Sequence, residues 1–246
     1  MLDLMLPLQC GGCGAPATPW CPECDGALAV HPDEPHLVTP RIDPGVPVLS
    51  LGRYAGPRRK AIVAVKEHGR TDLIRPLAHA LRDGLAHLMT WGILESPLVV
   101  VPAPTKRSSA RRRGGDPVTR IAKLAVASPD LSAGSDLSAV ASPDLSAVAS
   151  PDLSAVAGTD PDAVADSGLS VDAALRLKTF TRDSVGLSSA DRQRNIAGRV
   201  RRIRAVDGPV LLVDDIVTTG ATAAESVHIL QTGGAHVVAV LALANA

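Results

Sequence analysis

The sequence predicts an α/β protein in which a parallel sheet is flanked by helices. Continuously apolar runs of strand length alternate with segments of helical periodicity, which is typical of parallel strands buried on both faces. The clearest runs are "PLVVVPAP" (97–104), "PVLLVDD" (209–215) and "HVVAVLALA" (236–244). Apolar residues make up 46% of the 246-residue chain, which is enough for the core of one domain with a small accessory piece.

The other elements continue this alternation. Segment 47–54 predicts the first strand, and leucines at helical spacing predict a helix over 72–89. We expect another helix from Pro117, with Asp116 as its N-cap. Further along we expect, in order, a strand at 171–179, a helix opened by 187–195, and a helix over 221–231 closed by Gly233 and Gly234.

Segment 127–167 interrupts the pattern with repeats of the type "SPDLSAVA". Such a composition buries too little apolar surface to offset its ordering entropy, so we expect a disordered insertion within one domain. The insertion holds seven aspartates and no lysine, arginine or glutamate, so the rest of the chain carries 25 basic against 18 acidic residues. This excess fits either an anionic ligand or polymer or a solvated arginine-rich surface.

All four cysteines lie in the first 24 residues, as the pairs Cys10/Cys13 and Cys21/Cys24. Two Cys-x-x-Cys turns can supply the four thiolates of a tetrahedral zinc site, and such a complete ligand set makes the zinc structural. The alternatives are disulfides, which a cytoplasmic chain disfavours, and a redox pair, which needs a strand and helix setting. We therefore expect a zinc knuckle over residues 1–45 and the main domain over residues 46–246.

The segment "VLLVDDIVTTGAT" (210–222) predicts a site for a phosphorylated sugar. If its apolar run is a central strand, Asp214 and Asp215 emerge at the carboxyl edge, where open α/β sheets bind ligands. The next turn leads into a helix whose unpaired amides can bind a phosphate, and it consists of Thr218, Thr219, Gly220, Ala221 and Thr222. Carboxylates repel phosphate but accept hydrogen bonds from vicinal hydroxyls, so the pattern indicates ribose 5-phosphate.

Several other classes lack support in the sequence. Neither the P-loop pattern Gly-x4-Gly-Lys-Ser/Thr nor the dinucleotide pattern Gly-x-Gly-x-x-Gly occurs. No apolar stretch approaches the length of a membrane span, and the first ten residues lack a basic signal-peptide region. We therefore expect a cytoplasmic protein with no membrane insertion. Aromatic residues make up only 2% of the chain, which counts against a stacking platform for single-stranded nucleic acid.

Segment 210–222 resembles the 5-phosphoribosyl-1-pyrophosphate (PRPP) binding motif of type I phosphoribosyltransferases at all thirteen positions. With the four-cysteine start, the chain is similar to the ComF family, phosphoribosyltransferase-like proteins associated with natural competence. The resemblance covers nearly the whole chain except the repeat. It rests also on "RYAGPRRKAIVAVKEHGR" (53–70), "VVVPAPTKRSSARRRGGDPV" (99–118) and "DSVGLSSADRQRN" (183–195). The chain departs from many relatives at "RRGGDPV", where they have RRGFNQ, and at Ser184, where they have Gln.

The resemblance implies a type I phosphoribosyltransferase-like fold and a role for each motif. Asp214 and Asp215 would bind the ribose hydroxyls, Thr218 to Thr222 would bind the 5-phosphate, and Mg²⁺ would accompany the diphosphate. The candidates for binding pyrophosphate are Lys106 and Arg107. Further candidates are Lys66 and Arg70 for lining the cleft, and Arg192 and Arg194 for closing over the ligand.

Two functions stay open at this point. The first is an enzyme that transfers a phosphoribosyl group to an unidentified nitrogen acceptor and releases pyrophosphate. The second is a non-catalytic PRPP-binding accessory protein that handles single-stranded DNA during uptake or processing, together with competence or recombination proteins. The sequence identifies no catalytic residue.

Overall fold

The structure is a computed structural model that describes residues 8–105, 115–127, 168–177 and 198–246. The helices within these ranges are α1 (Pro22–Leu28), α2 (Gly56–Glu67), α3 (Ile74–Thr90), α4 (Pro117–Val126) and α5 (Ala221–Thr232). A 3-10 turn over Thr71–Leu73 leads into α3. The strands are β1 (His36–Leu37), β2 (Val48–Ser50), β3 (Leu98–Pro102), β4 (Leu169–Val171), β5 (Leu175–Leu177), β6 (Val200–Arg202), β7 (Pro209–Val217) and β8 (His236–Asn245).

Six strands form one mostly parallel sheet in the order β1-β2-β8-β7-β3-β4. Strand β1 pairs antiparallel with β2, and the other four pairings are parallel. Strands β5 and β6 form a separate antiparallel pair. The long central strands β7 and β8 are almost entirely apolar, as expected for strands covered on both faces.

Helices cover both faces of the sheet. On one face α2, α3 and α4 pack against alternate sheet residues that include Leu211 and Val213. On the other face α5 and the β5–β6 pair pack against Val210 and Leu212. This alternation follows from the period of two in a strand, and it gives each residue of β7 a defined side. No helix in the described part of the chain combines the length and the apolar character needed to cross a bilayer.

The N-terminal segment is attached to the main sheet at several points. The buried Arg58 of α2 donates from Nη2 to the Leu28 carbonyl at the end of α1, and from Nη1 to the Leu243 carbonyl on β8. Farther along, β1 extends the sheet beside β2. The domain boundary at residue 45 stays a prediction, but a strand from before that boundary pairs within the sheet.

Most predicted elements lie where the pattern places them. Helix α3 covers most of the predicted range 72–89. Asp116 caps α4, because its side chain accepts a hydrogen bond from Thr119 N at 3.3 Å. The predicted strand at 171–179 is wrong as a single element. Its first part, β4, pairs with β3, after which the chain turns at Asp172 to Ala174 and β5 pairs with β6.

One helix was not predicted, and two predicted features cannot be compared with the structure. Helix α2 was not predicted, because residues 56–69 read as a basic segment with no clear apolar stripe. The predicted insertion over 127–167, apart from residue 127, and the helix expected from 187–195 lie outside the described residues.

Candidate functional site

The two aspartates lie near the carboxyl end of the central strand β7. The sequence predicted that this strand ends before them, but β7 continues through Asp214 and Asp215 to Val217. Strand β3 ends at Pro102, opposite Val213, so both aspartates project beyond the end of that neighbour. They therefore lie at the carboxyl edge on the β3 side, while β8 continues beside them to Asn245.

Asp214 is a buried carboxyl group. Its side chain has a relative exposure of 9%, and its Oδ1 accepts a hydrogen bond from Asp215 N at 2.8 Å. Burial raises the pKa of Asp214 to about 8, and the neighbouring charge of Asp215 adds to the increase. At neutral pH Asp214 is therefore largely protonated, and a protonated carboxyl group can donate as well as accept a hydrogen bond.

Asp215 has a different environment from its neighbour. Because adjacent strand residues face opposite sides of a sheet, Asp215 lies on the α2 side and Asp214 on the α5 side. The Lys66 Nζ of α2 lies 2.7 Å from Asp215 Oδ2. Burial opposes the charged form of Lys66, but the carboxylate of Asp215 raises its pKa, so this ammonium group stays charged.

The loop after β7 presents backbone amides at the start of α5. The helical ladder begins with Ala224 N donating to Gly220 O at 2.8 Å, which leaves the preceding amides without intrahelical acceptors. Within the described residues Thr222 N and Ala223 N donate to no acceptor, and Ala221 N has only a long contact of 3.4 Å to Thr219 Oγ1. This geometry is suited to an anion at the positive end of the helix dipole.

A segment from the N-terminal part of the chain supports this loop. Ile42 N donates to Thr219 O at 2.9 Å. Gly220 has a φ of +83°, and a Cβ at this position would overlap the Ile42 carbonyl oxygen and the Pro40 side chain. Two features therefore require glycine at position 220: the positive φ of its backbone and the close approach of residues 40–42. We name residues 40–42 the support segment.

The lysine and arginine side chains that were predicted to line the site lie in different places. Lys66 lies beside the acid pair, where its Nζ contacts Asp215 Oδ2. The cleft-lining role expected for Arg70 is wrong, because its guanidinium pairs with Asp72 and donates to the carbonyl oxygens of Gln9 and Pro19 at 3.2 and 3.3 Å. The nearby acid and the carbonyl groups of the N-terminal turn hold it there. The predicted positions Lys106, Arg107, Arg192 and Arg194 lie outside the described residues.

The four cysteines converge as the spacing predicts. The sulfur atoms of Cys10, Cys13, Cys21 and Cys24 all lie within 4.8 Å of one another, so they are close enough to bind one metal ion. A tetrahedral ion with sulfur ligands at about 2.3 Å requires sulfur separations of about 3.8 Å. The 3.6 Å separation of the Cys13 and Cys21 sulfurs is close to that value.

Backbone amides support this cysteine cluster. Gly12 N and Cys21 N each donate to Cys10 Sγ at 3.4 Å, and Ala15 N donates to Cys13 Sγ at the same distance. Such bonds stabilise thiolates, which are the form of cysteine that binds metals.

Two comparisons with known proteins give no match. No family model matches the chain, and no curated protein matches it.

Sequence reasoning did not find the support segment or the role of Arg58. Ile42 and Thr219 interact only through backbone atoms, which leave no signature in residue type. The buried position of Arg58 was not visible either, since the residue lies within a run of basic residues that reads as a solvated surface.

Proposed function

We propose that the protein binds PRPP at the carboxyl edge of its sheet. The observation that carries the proposal is the juxtaposition of the acid pair Asp214 and Asp215 with the free amides at the start of α5. The 5-phosphate would accept hydrogen bonds from the loop of Thr218 to Thr222, and the ribose hydroxyls would meet the carboxyl groups. The sequence resemblance of residues 210–222 to the PRPP motif supports the same ligand.

The metals have separate roles in this proposal. The four-cysteine cluster would hold a structural Zn²⁺, supported by the number, type and spacing of its sulfur atoms. Mg²⁺ would arrive with the diphosphate of PRPP, as the resemblance implies.

Calorimetric titration with PRPP and Mg²⁺ tests the proposal. We expect saturable binding with one site per chain, and we expect Asp215→Asn to weaken it by about tenfold to a hundredfold through the loss of a charged hydrogen-bond acceptor. Asp207→Asn, which changes an exposed aspartate in the loop before β7, should leave the affinity unchanged. Absence of saturable binding to the unmodified protein would refute PRPP binding.

Turnover is the second question. In a phosphoribosyl transfer a nitrogen nucleophile forms a bond to C1 of the ribose and loses a proton, while the C1–O bond breaks and pyrophosphate leaves. Incubation with PRPP, Mg²⁺ and a panel of nitrogenous bases and amines would detect this reaction as released pyrophosphate. Release that requires both an acceptor and Asp215 would establish an enzyme.

One observation favours the non-catalytic alternative, an accessory protein that handles single-stranded DNA. Arg176 and Arg201 lie directly opposite each other on β5 and β6, and both are exposed. Two facing positive charges repel each other unless an anion lies between them, and a phosphate backbone can supply that anion. PRPP binding without turnover, together with steeply salt-dependent binding of a single-stranded oligonucleotide, would support this alternative.

A further inference from the structure

The pair formed by Lys66 and Asp215 has features that a simple surface ion pair lacks. Their side chains are only 31% and 13% exposed, and their charged atoms are 2.7 Å apart. Partial burial weakens the screening of this interaction by water and salt, so the pair is stronger than a fully exposed one. The stem of Lys66 borders a small apolar cleft with Ile62, Val65 and Leu77. Packing along this cleft fixes the ammonium group on one side of Asp215.

The pair lowers the net negative charge at the carboxyl edge of the sheet. PRPP carries several negative charges, and a bare carboxylate beside the phosphate loop would repel it. Lys66 cancels the charge of Asp215. Asp214 adds little further charge at neutral pH, because its burial favours the protonated form. An anionic ligand therefore approaches an edge that is close to neutral despite its two aspartates.

The pair also leaves part of Asp215 available. The ion pair with Lys66 is made at Oδ2 of Asp215. A carboxylate held at one oxygen is fixed in orientation, so the other oxygen can accept a hydroxyl hydrogen bond at low entropic cost.

We infer that Lys66 is a positioning residue of the ligand site, which acts by holding and neutralising Asp215 and does not itself contact the ligand. This inference rests on the proposed function. If the inference is correct, helix α2 takes part in recognising a phosphorylated sugar. The two aspartates then differ in role: Asp215 is the acceptor that Lys66 holds, and Asp214 is its buried neighbour.

A double-mutant cycle on the full chain tests the inference, with PRPP and Mg²⁺ as the probe. We expect Lys66→Met to weaken binding by about tenfold or more, because the methionine keeps the apolar stem and removes only the charge. If Lys66 acts through Asp215, Lys66→Met combined with Asp215→Asn should bind about as weakly as Asp215→Asn alone. If the two losses multiply instead, Lys66 acts on the ligand independently and the inference is overturned.

Two further variants separate positioning from a merely structural role. Lys66→Arg restores a positive charge opposite Asp215, so it should recover most of the lost affinity, whereas a failure to recover it would contradict the inference. Lys60→Met makes the same substitution at an exposed lysine of the same helix and should bind like the unmodified protein. If the unmodified protein fails to bind PRPP, the proposed function itself fails. Normal binding combined with a multiplicative cycle refutes only the role of Lys66.

Discussion

Asp214 and Asp215 show how strongly the position of a side chain controls its chemistry. They are identical neighbours on one strand, but the period of two places them on opposite faces of the sheet. Asp215 lies against the ammonium group of Lys66, whereas Asp214 is enclosed and its pKa rises to about 8, first through burial and then through the charge of Asp215. The sequence motif predicted two acceptors of the same kind, but the structure gives the two carboxyl groups different surroundings.

Asp214 should make the stability of the protein depend on pH. Its pKa is raised in the folded state, so the folded protein keeps a proton that the unfolded chain releases. The contribution of Asp214 to stability is therefore fully present below about pH 4 and is lost as the pH rises to about 8. As the pH rises from 5 to 8.5, Asp214→Asn should therefore gain roughly 4 kcal/mol of stability relative to the unmodified protein.

Chemical denaturation at the two pH values measures this effect. Asp207→Asn is the control, because an exposed aspartate should change the pH profile little. Parallel profiles for Asp214→Asn and the unmodified protein would show that Asp214 has no unusual titration in the folded state.

At the scale of elements, the sequence was informative wherever one local signal dominated. Continuous apolar runs identified β3, β7 and β8, and the Asp116-Pro117 start identified α4. Helix α2 was missed because its buried residues are mixed with basic ones, so its apolar stripe is weak. Strands β4 and β5 were merged because the turn between them, Asp172 to Ala174, contains no glycine or proline and has Asp172 as its one residue that favours turns.

In the candidate site, too, features within one continuous segment were predicted, and contacts between distant segments were not. The acid pair and the loop of Thr218 to Thr222 form one continuous segment, so their proximity could be predicted from sequence. Lys66 was placed near the cleft by resemblance, but its pairing with Asp215 across two distant elements required the structure. Arg70 was misplaced because it pairs with Asp72, and because its other partners, Gln9 O and Pro19 O, are backbone atoms that no residue pattern encodes.

Gly220 connects the loop geometry to stability. Gly220→Ala must accept a positive φ and also displace the support segment, so we expect a loss of about 2 kcal/mol or more. Gly234, after the end of α5, has a similar φ of +87° but open space at its Cβ position. Gly234→Ala should therefore cost only about 1 kcal/mol, and denaturant unfolding of both variants isolates the effect of the close approach. If the two variants lost equal stability, the displacement of residues 40–42 by the new Cβ would cost no measurable free energy.

On the scale of the whole molecule, arginines fasten the cysteine cluster to the sheet. Arg58 bridges the carbonyl groups of Leu28 and Leu243, and Arg70 binds the carbonyl groups of Gln9 and Pro19. Leu28 also belongs to the core that lies beneath α2 and α3. The N-terminal turn is therefore packed against helices that cover one face of the sheet.

Removing the metal should loosen the N-terminal turn and leave the sheet folded, because metal-binding energy is local folding energy. We expect one zinc per chain by elemental analysis. We also expect a strong chelator to lower the melting temperature by about 5 °C or more. Hydrogen exchange should accelerate at residues 10–28 and stay slow in β7 and β8. In a variant with Cys21→Ser and Cys24→Ser the chelator should have no further effect, and loss of protection in β7 would contradict local unfolding.

The hydrogen bond from Ile42 to Thr219 has a consequence for work with fragments of this protein. A polypeptide trimmed to begin at residue 46 lacks the edge strand β1 and the residues that support the turn of Thr218 to Thr222, although it keeps every side chain of the acid-and-threonine motif. Weak affinity in such a fragment would report the missing residues rather than a defective pocket. Ligand measurements are therefore informative only when the residues that precede the sheet remain attached.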